Sequence, residues 1–158
     1  MNRLGSVARQ AGNFALAGPA LGEALRIREG RLDPEHPDIA VSLINLAALL
    51  HDTNRRGEVE PLLMRALAID EKSYGPDHPN VATDLNNLAL LLQDTNRLGE
   101  AEPLYRRALA IGEKSYGPDH PTTKTIRENL RLLQDKSADS HGAPGDARPG
   151  DRERQSPK

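Results

Sequence analysis

The sequence predicts an all-α solenoid of about seven helices, arranged as stacked helix pairs. The first observation behind this prediction is a repeat of 42 residues, marked by His-Pro pairs at His36, His78 and His120. At that offset, Leu43–Asp84 and Leu85–Ile126 share about 30 of 42 residues. The second observation is the helical spacing of apolar residues within each unit. A fixed period of this length is typical of an array whose units stack to bury their apolar faces.

Each unit is expected to begin with a helix, which is best seen at Val81–Asp94. Its apolar residues recur at intervals that place them on one helical face. Pro79 precedes this series at a position where a missing backbone N–H costs nothing. Either Asp77 or His78 can cap the start of the helix.

The residue after each first helix predicts a left-handed turn. Asn96 occupies this place, and its equivalents in the two preceding units are Asn54 and Gly12. Asn and Gly are the residue types that tolerate a left-handed backbone. A second helix is then expected from about Glu100 to Ser115, with a copy at Glu58–Ser73.

The unit boundaries predict how the chain is divided. The array is expected to cover residues 1–135 as a partial repeat at 1–37, complete repeats at 38–79 and 80–121, and a capping helix at 122–135. The first helix contains Gly5 and is expected to fray. The last helix places Arg127 and Arg131 on the face that is apolar in earlier units, as expected of a cap exposed to water. Residues 136–158 are rich in Gly, Pro, Ser and charge and are expected to form a disordered tail.

The apolar positions of two successive units follow one pattern of large and small residues. In one unit they are Leu46, Ala47, Leu50, Val59, Leu63 and Ala66, and in the next they are Leu88, Ala89, Leu92, Ala101, Tyr105 and Ala108. This pattern resembles the tetratricopeptide repeat. The usual period is about 34 residues, and the longer 42-residue unit is similar to the kinesin light chain and nephrocystin-3 subtype. The resemblance implies a right-handed superhelix of helix–turn–helix units and a protein-interaction scaffold.

Motifs for catalysis and cofactors are missing from the sequence. There is no glycine-rich phosphate loop, no HExxH and no nucleophile elbow, and the absence of Cys excludes thiolate metal sites. His36, His78 and His120 lie one repeat apart, too far to share a metal, and are expected to cap helices. Tyr74 and Tyr116 are expected to pack between repeats. We therefore expect no enzymatic activity, no metal and no cofactor.

Charge and hydropathy narrow the class of partner. The formal net charge is −2, whereas a nucleic-acid-binding surface is basic. No apolar run approaches the roughly 20 residues of a membrane span, and the N-terminal residues do not resemble a secretory signal. We expect a cytoplasmic protein that binds another protein or a peptide, and neither nucleic acid nor a membrane.

The resemblance implies that the first helices line a concave groove. Asn45, Asn87 and Asn129 recur there at 42-residue spacing, and amides suit the backbone of an extended peptide. The alternative is that these amides only join adjacent helices. The predicted groove residues are Asn45, Asn86, Asn87, Asn129, His51, Leu90 and Gln93.

The N-terminal end has no polar cap comparable to the C-terminal one. This end is therefore either ragged, or joined to more of a longer array, or paired with another surface. Self-association through the N-terminal end is the alternative to a groove ligand. A further alternative is that the chain is a fragment of a larger bacterial signalling protein.

Overall fold

The computed structural model describes residues 2–141, which form seven α-helices and no β-strand. The helices are α1 (Asn2–Gln10), α2 (Phe14–Glu29), α3 (Pro37–Asp52), α4 (Val59–Tyr74), α5 (Pro79–Asp94), α6 (Leu98–Tyr116) and α7 (Pro121–His141), with a 3₁₀ turn at Arg56–Glu58 before α4. The largest interfaces lie within the pairs α1–α2, α3–α4 and α5–α6. Each second helix also packs on the next first helix. The predicted all-α solenoid of helix pairs is confirmed.

Histidine side chains cap the helices that open each unit. The Nδ1 atoms of His36, His78 and His120 accept the backbone N–H two residues later, at 3.1, 3.2 and 3.2 Å. Each cap is followed directly by a proline, which has no N–H to satisfy. The structure thus confirms the predicted capping role and selects His78 over Asp77. An acceptor role requires that Nδ1 carry no proton.

The ends of the first helices share one left-handed turn. Gly12, Asn54 and Asn96 have φ angles of 74°, 60° and 62°, as predicted. In the middle unit the next residue, Arg55, donates its backbone N–H to the carbonyl of Leu50 at 2.8 Å. This bond closes a Schellman motif and satisfies a carbonyl that the helix leaves unpaired. The equivalent bond recurs after α1, from Asn13 to Ala8, and after α5, from Arg97 to Leu92.

The loop tyrosines lie elsewhere than predicted. Tyr74 and Tyr116 stack on the rings of His78 and His120, with ring centroids 4.4 Å apart. The tyrosine side chains remain 44% and 42% exposed. The expectation that they pack between repeats is therefore wrong, because each ring covers the histidine that caps the next helix instead.

The final helix is longer than predicted. It continues past Asp135 through His141, because residues such as Ala138 are compatible with a helix and the first Gly-Ala-Pro-Gly stretch begins only at Gly142. The rest of the predicted tail, 142–158, lies outside the described residues. Arg127 is exposed on α7 and pairs with Glu113 at 2.8 Å, as expected of a helix whose outer face meets water.

A glycine allows the first two helices to approach closely. Gly5 is buried, and a Cβ atom built on it would lie 2.5 Å from Cγ of Leu21. The Leu21 side chain is itself fully buried, so it cannot move aside without disturbing the core. Gly5 thus has a packing role that the expectation of fraying did not include.

This close approach predicts opposite effects for two Gly→Ala changes. Gly5→Ala should destabilise the chain by about 1–2 kcal/mol, because overpacking outweighs the gain in helix propensity. Gly22→Ala is the matched control on α2, where a new Cβ meets no atom within 4 Å, and it should stabilise by up to about 1 kcal/mol. Urea unfolding followed by circular dichroism measures both. Equal shifts for the two variants would contradict the proposed role of Gly5.

Candidate functional site

An open cavity of about 200 Å³ lies between α3, α4 and α5. Its lining is Ile44, Ala47, Ala48, His51, Asp52, Val59, Leu63, Asn87, Leu90 and Leu91. The wall is mostly aliphatic, and Leu90 is 37% exposed at its edge. Because small-molecule sites usually have volumes above about 300 Å³, a cavity of this size suits one side chain of a larger ligand.

Polar contacts join neighbouring first helices beside the cavity. Four of them connect residues 43 positions apart. Three join Arg9 Nη1 to Asp52 Oδ2 at 2.7 Å, His51 Nε2 to Asp94 Oδ2 at 2.8 Å, and Lys136 Nζ to the Gln93 carbonyl at 3.5 Å, and the fourth joins two Asn side chains. These side chains are partly exposed to solvent, so each contact contributes little stability. Their common offset shows that the first helices lie side by side in a constant register.

The row of amides does not have one uniform role. Asn129 Nδ2 donates to Asn86 Oδ1 at 2.9 Å, which joins α7 to α5. One unit earlier the residue equivalent to Asn86 is Ile44, so Asn87 has no amide opposite it. The half-buried Asn87 side chain makes no hydrogen bond to any residue in the described range and lines the cavity instead. Asn129 therefore joins adjacent helices, as in the alternative to groove contact. The donors and the acceptor of the Asn87 amide remain available to a ligand.

Two other predicted groove residues differ in their availability. Asn45 is half-buried on α3, and its side chain makes no hydrogen bond within the described set of side chains. The Oε1 atom of Gln93 accepts the hydroxyl of Tyr105 at 3.0 Å. Burial raises the pKa of Tyr105, which keeps its proton in place for this bond. The Gln93 side chain is thus held within its own repeat.

The sequence prediction missed the floor of the cavity. Val59 and Leu63 come from α4, a second helix, whereas the predicted groove used only first helices. A signal was nevertheless present in the sequence. Ala48 stands where the next two units have Leu90 and Leu132, and the smaller side chain leaves space above α4.

Comparison with known families identifies the array. The family profile of the tetratricopeptide repeat matches residues 1–72, 58–114 and 85–141. This chain belongs to the tetratricopeptide repeat family. The predicted family is therefore confirmed, and the family role of a protein-interaction scaffold applies to the chain. The sequence has no match among proteins of curated function.

Solved structures show the same fold. A kinesin light chain-like protein of Podosopora anserina, described by its nearly identical TPR-like repeats, superposes with a TM-score of 0.80 at 24% identity. That match covers 89% of this chain and 66% of the other, and a variant of that protein gives 0.80 at 23% with the same coverage. BtubC (BKLC) from P. vanneervenii gives 0.73 at 25% identity, covering 88% of this chain and 53% of that protein. This chain is thus shorter than each of these proteins.

Two further observations concern the described residues alone. Across residues 2–141 no three His, Cys, Asp or Glu side chains come together as a metal site. Over the same range no helix combines the length and apolar character that a bilayer crossing requires.

Because Asn129 is hydrogen-bonded and Asn87 is not bonded to any described residue, their substitutions should affect stability differently. Asn129→Ala should destabilise the array by about 0.5–1.5 kcal/mol, because it removes the bond to Asn86 and leaves that amide without its partner. Asn87→Ala is the matched control and should change stability by less than about 0.5 kcal/mol. The midpoints of urea unfolding report both values. A loss at Asn87 as large as at Asn129 would show that both amides brace the scaffold.

Proposed function

We propose that this scaffold binds an extended peptide segment of a partner protein along its first helices, with one branched aliphatic side chain inserted into the cavity. The observation that carries the proposal is the amide of Asn87, which lines a mostly aliphatic cavity and has no hydrogen-bond partner among the described residues. A buried or half-buried amide normally finds a partner. The backbone of an extended peptide supplies both a carbonyl and an N–H for it.

The lining of the cavity favours an aliphatic anchor over a charged one. Ile44, Val59 and Leu63 supply apolar walls with no cation to receive a carboxylate, and an unpaired charge is costly to bury. The carboxylates at the rim, Asp52 and Asp94, are already joined to Arg9 and His51. Burying a Leu or Ile side chain would therefore contribute about 1.5–3 kcal/mol to binding.

A binding role also fits the state of the histidines and acids. His36, His78 and His120 are occupied as helix caps, and the Nε2 atom of His51 is occupied by its contact with Asp94. We infer that the chain is not an enzyme, because His51 of the cavity lining is held by Asp94 and no Ser, Thr, Cys or Lys lines the cavity beside it.

Filling the cavity tests the proposal directly. A displayed library of random ten-residue peptides serves as the probe, and selected peptides should share a Leu, Ile or Val. Ala48→Phe should lower the affinity of the selected peptides at least tenfold, because the ring occupies the space of the anchor. Ala68→Phe is the matched control on the exposed face of α4 and should leave affinity unchanged. Fluorescence anisotropy of labelled peptides measures both.

Two results would contradict the groove. One is that Ala48→Phe and the parent chain bind the selected peptides equally. The other is that the affinity falls to the same extent in Ala68→Phe, since that would place the peptide on the outer face of α4.

A second candidate function is self-association through the first helix pair. Val7, Phe14 and Leu16 are 62%, 40% and 46% exposed there, and clustered exposed apolar residues are typical of contact surfaces. Sedimentation velocity over a wide concentration range should then show a dimer that Phe14→Lys dissociates. A monomer at every concentration rules this candidate out and leaves the groove proposal untouched.

A further inference from the structure

The three junctions between successive units place different chemistry at equivalent positions. At the first junction, between α2 and α3, Arg28 Nη1 donates to Ser42 Oγ at 2.7 Å. At the third junction, between α6 and α7, the equivalent residues are Gly112 and Ile126. The Cδ1 atom of Ile126 lies 3.8 Å from where a Gly112 Cβ would be. One junction is therefore held by a charged hydrogen bond and another by apolar contact.

The second junction, between α4 and α5, holds two buried acids at these positions. Asp70 is 4% exposed and Asp84 is 1% exposed. Their carboxyl groups, hereafter the carboxyl pair, are within hydrogen-bonding contact of each other. Asp70 Oδ1 and Asp84 Oδ2 receive no hydrogen bond from any described residue. Two ionised carboxylates would face each other in a buried position here, and that arrangement favours one shared proton.

Neighbouring charges do not neutralise the carboxyl pair. Glu71 faces it from α4 and adds negative charge, although Arg107 of α6 holds Glu71 at 2.6 Å. At the start of α5, the amide of Asn80 and His78 lie beside the pair and favour ionisation of Asp70. No Lys or Arg side chain contacts the pair within the part of the chain that the structure describes.

Burial has the largest influence on both acids. Burial, with a smaller contribution from the negative charge of Asp70, raises the pKa of Asp84 to about 7. Burial also raises the pKa of Asp70, against the opposing influence of its hydrogen bonds. The geometry and the titration behaviour thus agree that the pair holds a proton under mildly acidic conditions.

We propose that the carboxyl pair is a proton-dependent joint of the array. One shared proton holds α4 against α5, and its release to solvent leaves two repelling carboxylates that loosen this junction and not the other two. The folded chain binds the proton more tightly than the unfolded chain does. Stability is therefore fully present below the pKa of an unfolded Asp, near 4, and is lost as the pH rises toward 7.

The pH dependence of unfolding tests the joint. In the parent chain, the equilibrium constant for unfolding should rise by up to about tenfold per pH unit between pH 5 and 7, where one proton is lost on unfolding. Asp84→Asn supplies an N–H donor at every pH and should remove this slope. Asp119→Asn is the control, since that side chain is 94% exposed, and it should keep the slope. Urea titrations from pH 5 to 8 give the pH dependence of unfolding for the parent chain and for both variants.

The Asp119→Asn control also reports any pH response that does not involve the carboxyl pair, because such a response affects all three proteins equally. The proposal is overturned if the parent chain is insensitive over this range, or if Asp84→Asn retains the slope of the parent.

A distance measurement locates the response without altering the carboxyl pair. Arg26, Ala68 and Ala110 are exposed at equivalent positions on α2, α4 and α6, and the chain has no Cys of its own. Spin labels on Ala68→Cys with Ala110→Cys span the second junction, whereas Arg26→Cys with Ala68→Cys span the first. Between pH 5 and 8 the distance distribution of Ala68→Cys with Ala110→Cys should broaden. That of Arg26→Cys with Ala68→Cys should stay unchanged. Equal behaviour of the two pairs contradicts a joint confined to α4 and α5.

Discussion

Each helix of the array has two apolar sides, and the other helix of its pair covers only one of them. The second side is buried only when the next pair stacks on it, so the junctions between units are the contacts on which the rest of the structure depends. The constant 43-residue offset between neighbouring first helices shows that these junctions share one backbone geometry. Where backbones are equivalent, a change of a single side chain is enough to give one junction its own chemistry.

Both distinctive features of the chain lie in its middle and arise in this way. Ile44 in place of an Asn leaves Asn87 unpaired, and Ala48 in place of a Leu opens the cavity. At the junction between α4 and α5, acids replace the residues that form a hydrogen bond or an apolar contact at the other two junctions. The cavity floor and the carboxyl pair share α4, since Leu63 and Asp70 lie two turns apart on that helix. A proton released from the pair therefore acts on the same helix that a peptide anchor would touch.

Features determined by local chemistry could be predicted from the sequence. The left-handed turns at Asn54 and Asn96 follow from residue type, and the His-Pro caps follow from turn chemistry. The solenoid itself followed from the period. Features that depend on which side chains meet across units could not be predicted in this way. The partner of Asn129 and the floor under Ala48 each require knowledge of the register between helices.

The similarity of the units has a consequence for variants that differ in their number. Leu43–Asp84 and Leu85–Ile126 share about 30 of 42 residues, so one unit can be deleted without changing the pattern of the others. The shortened protein would join Ser42 to Leu85, which preserves the helical phase and the left-handed turns at Gly12 and Asn96. It would also lose Ile44, Ala48 and the carboxyl pair together. Variation in the number of units would thus give a solenoid that lacks both the cavity and the proton-dependent contact.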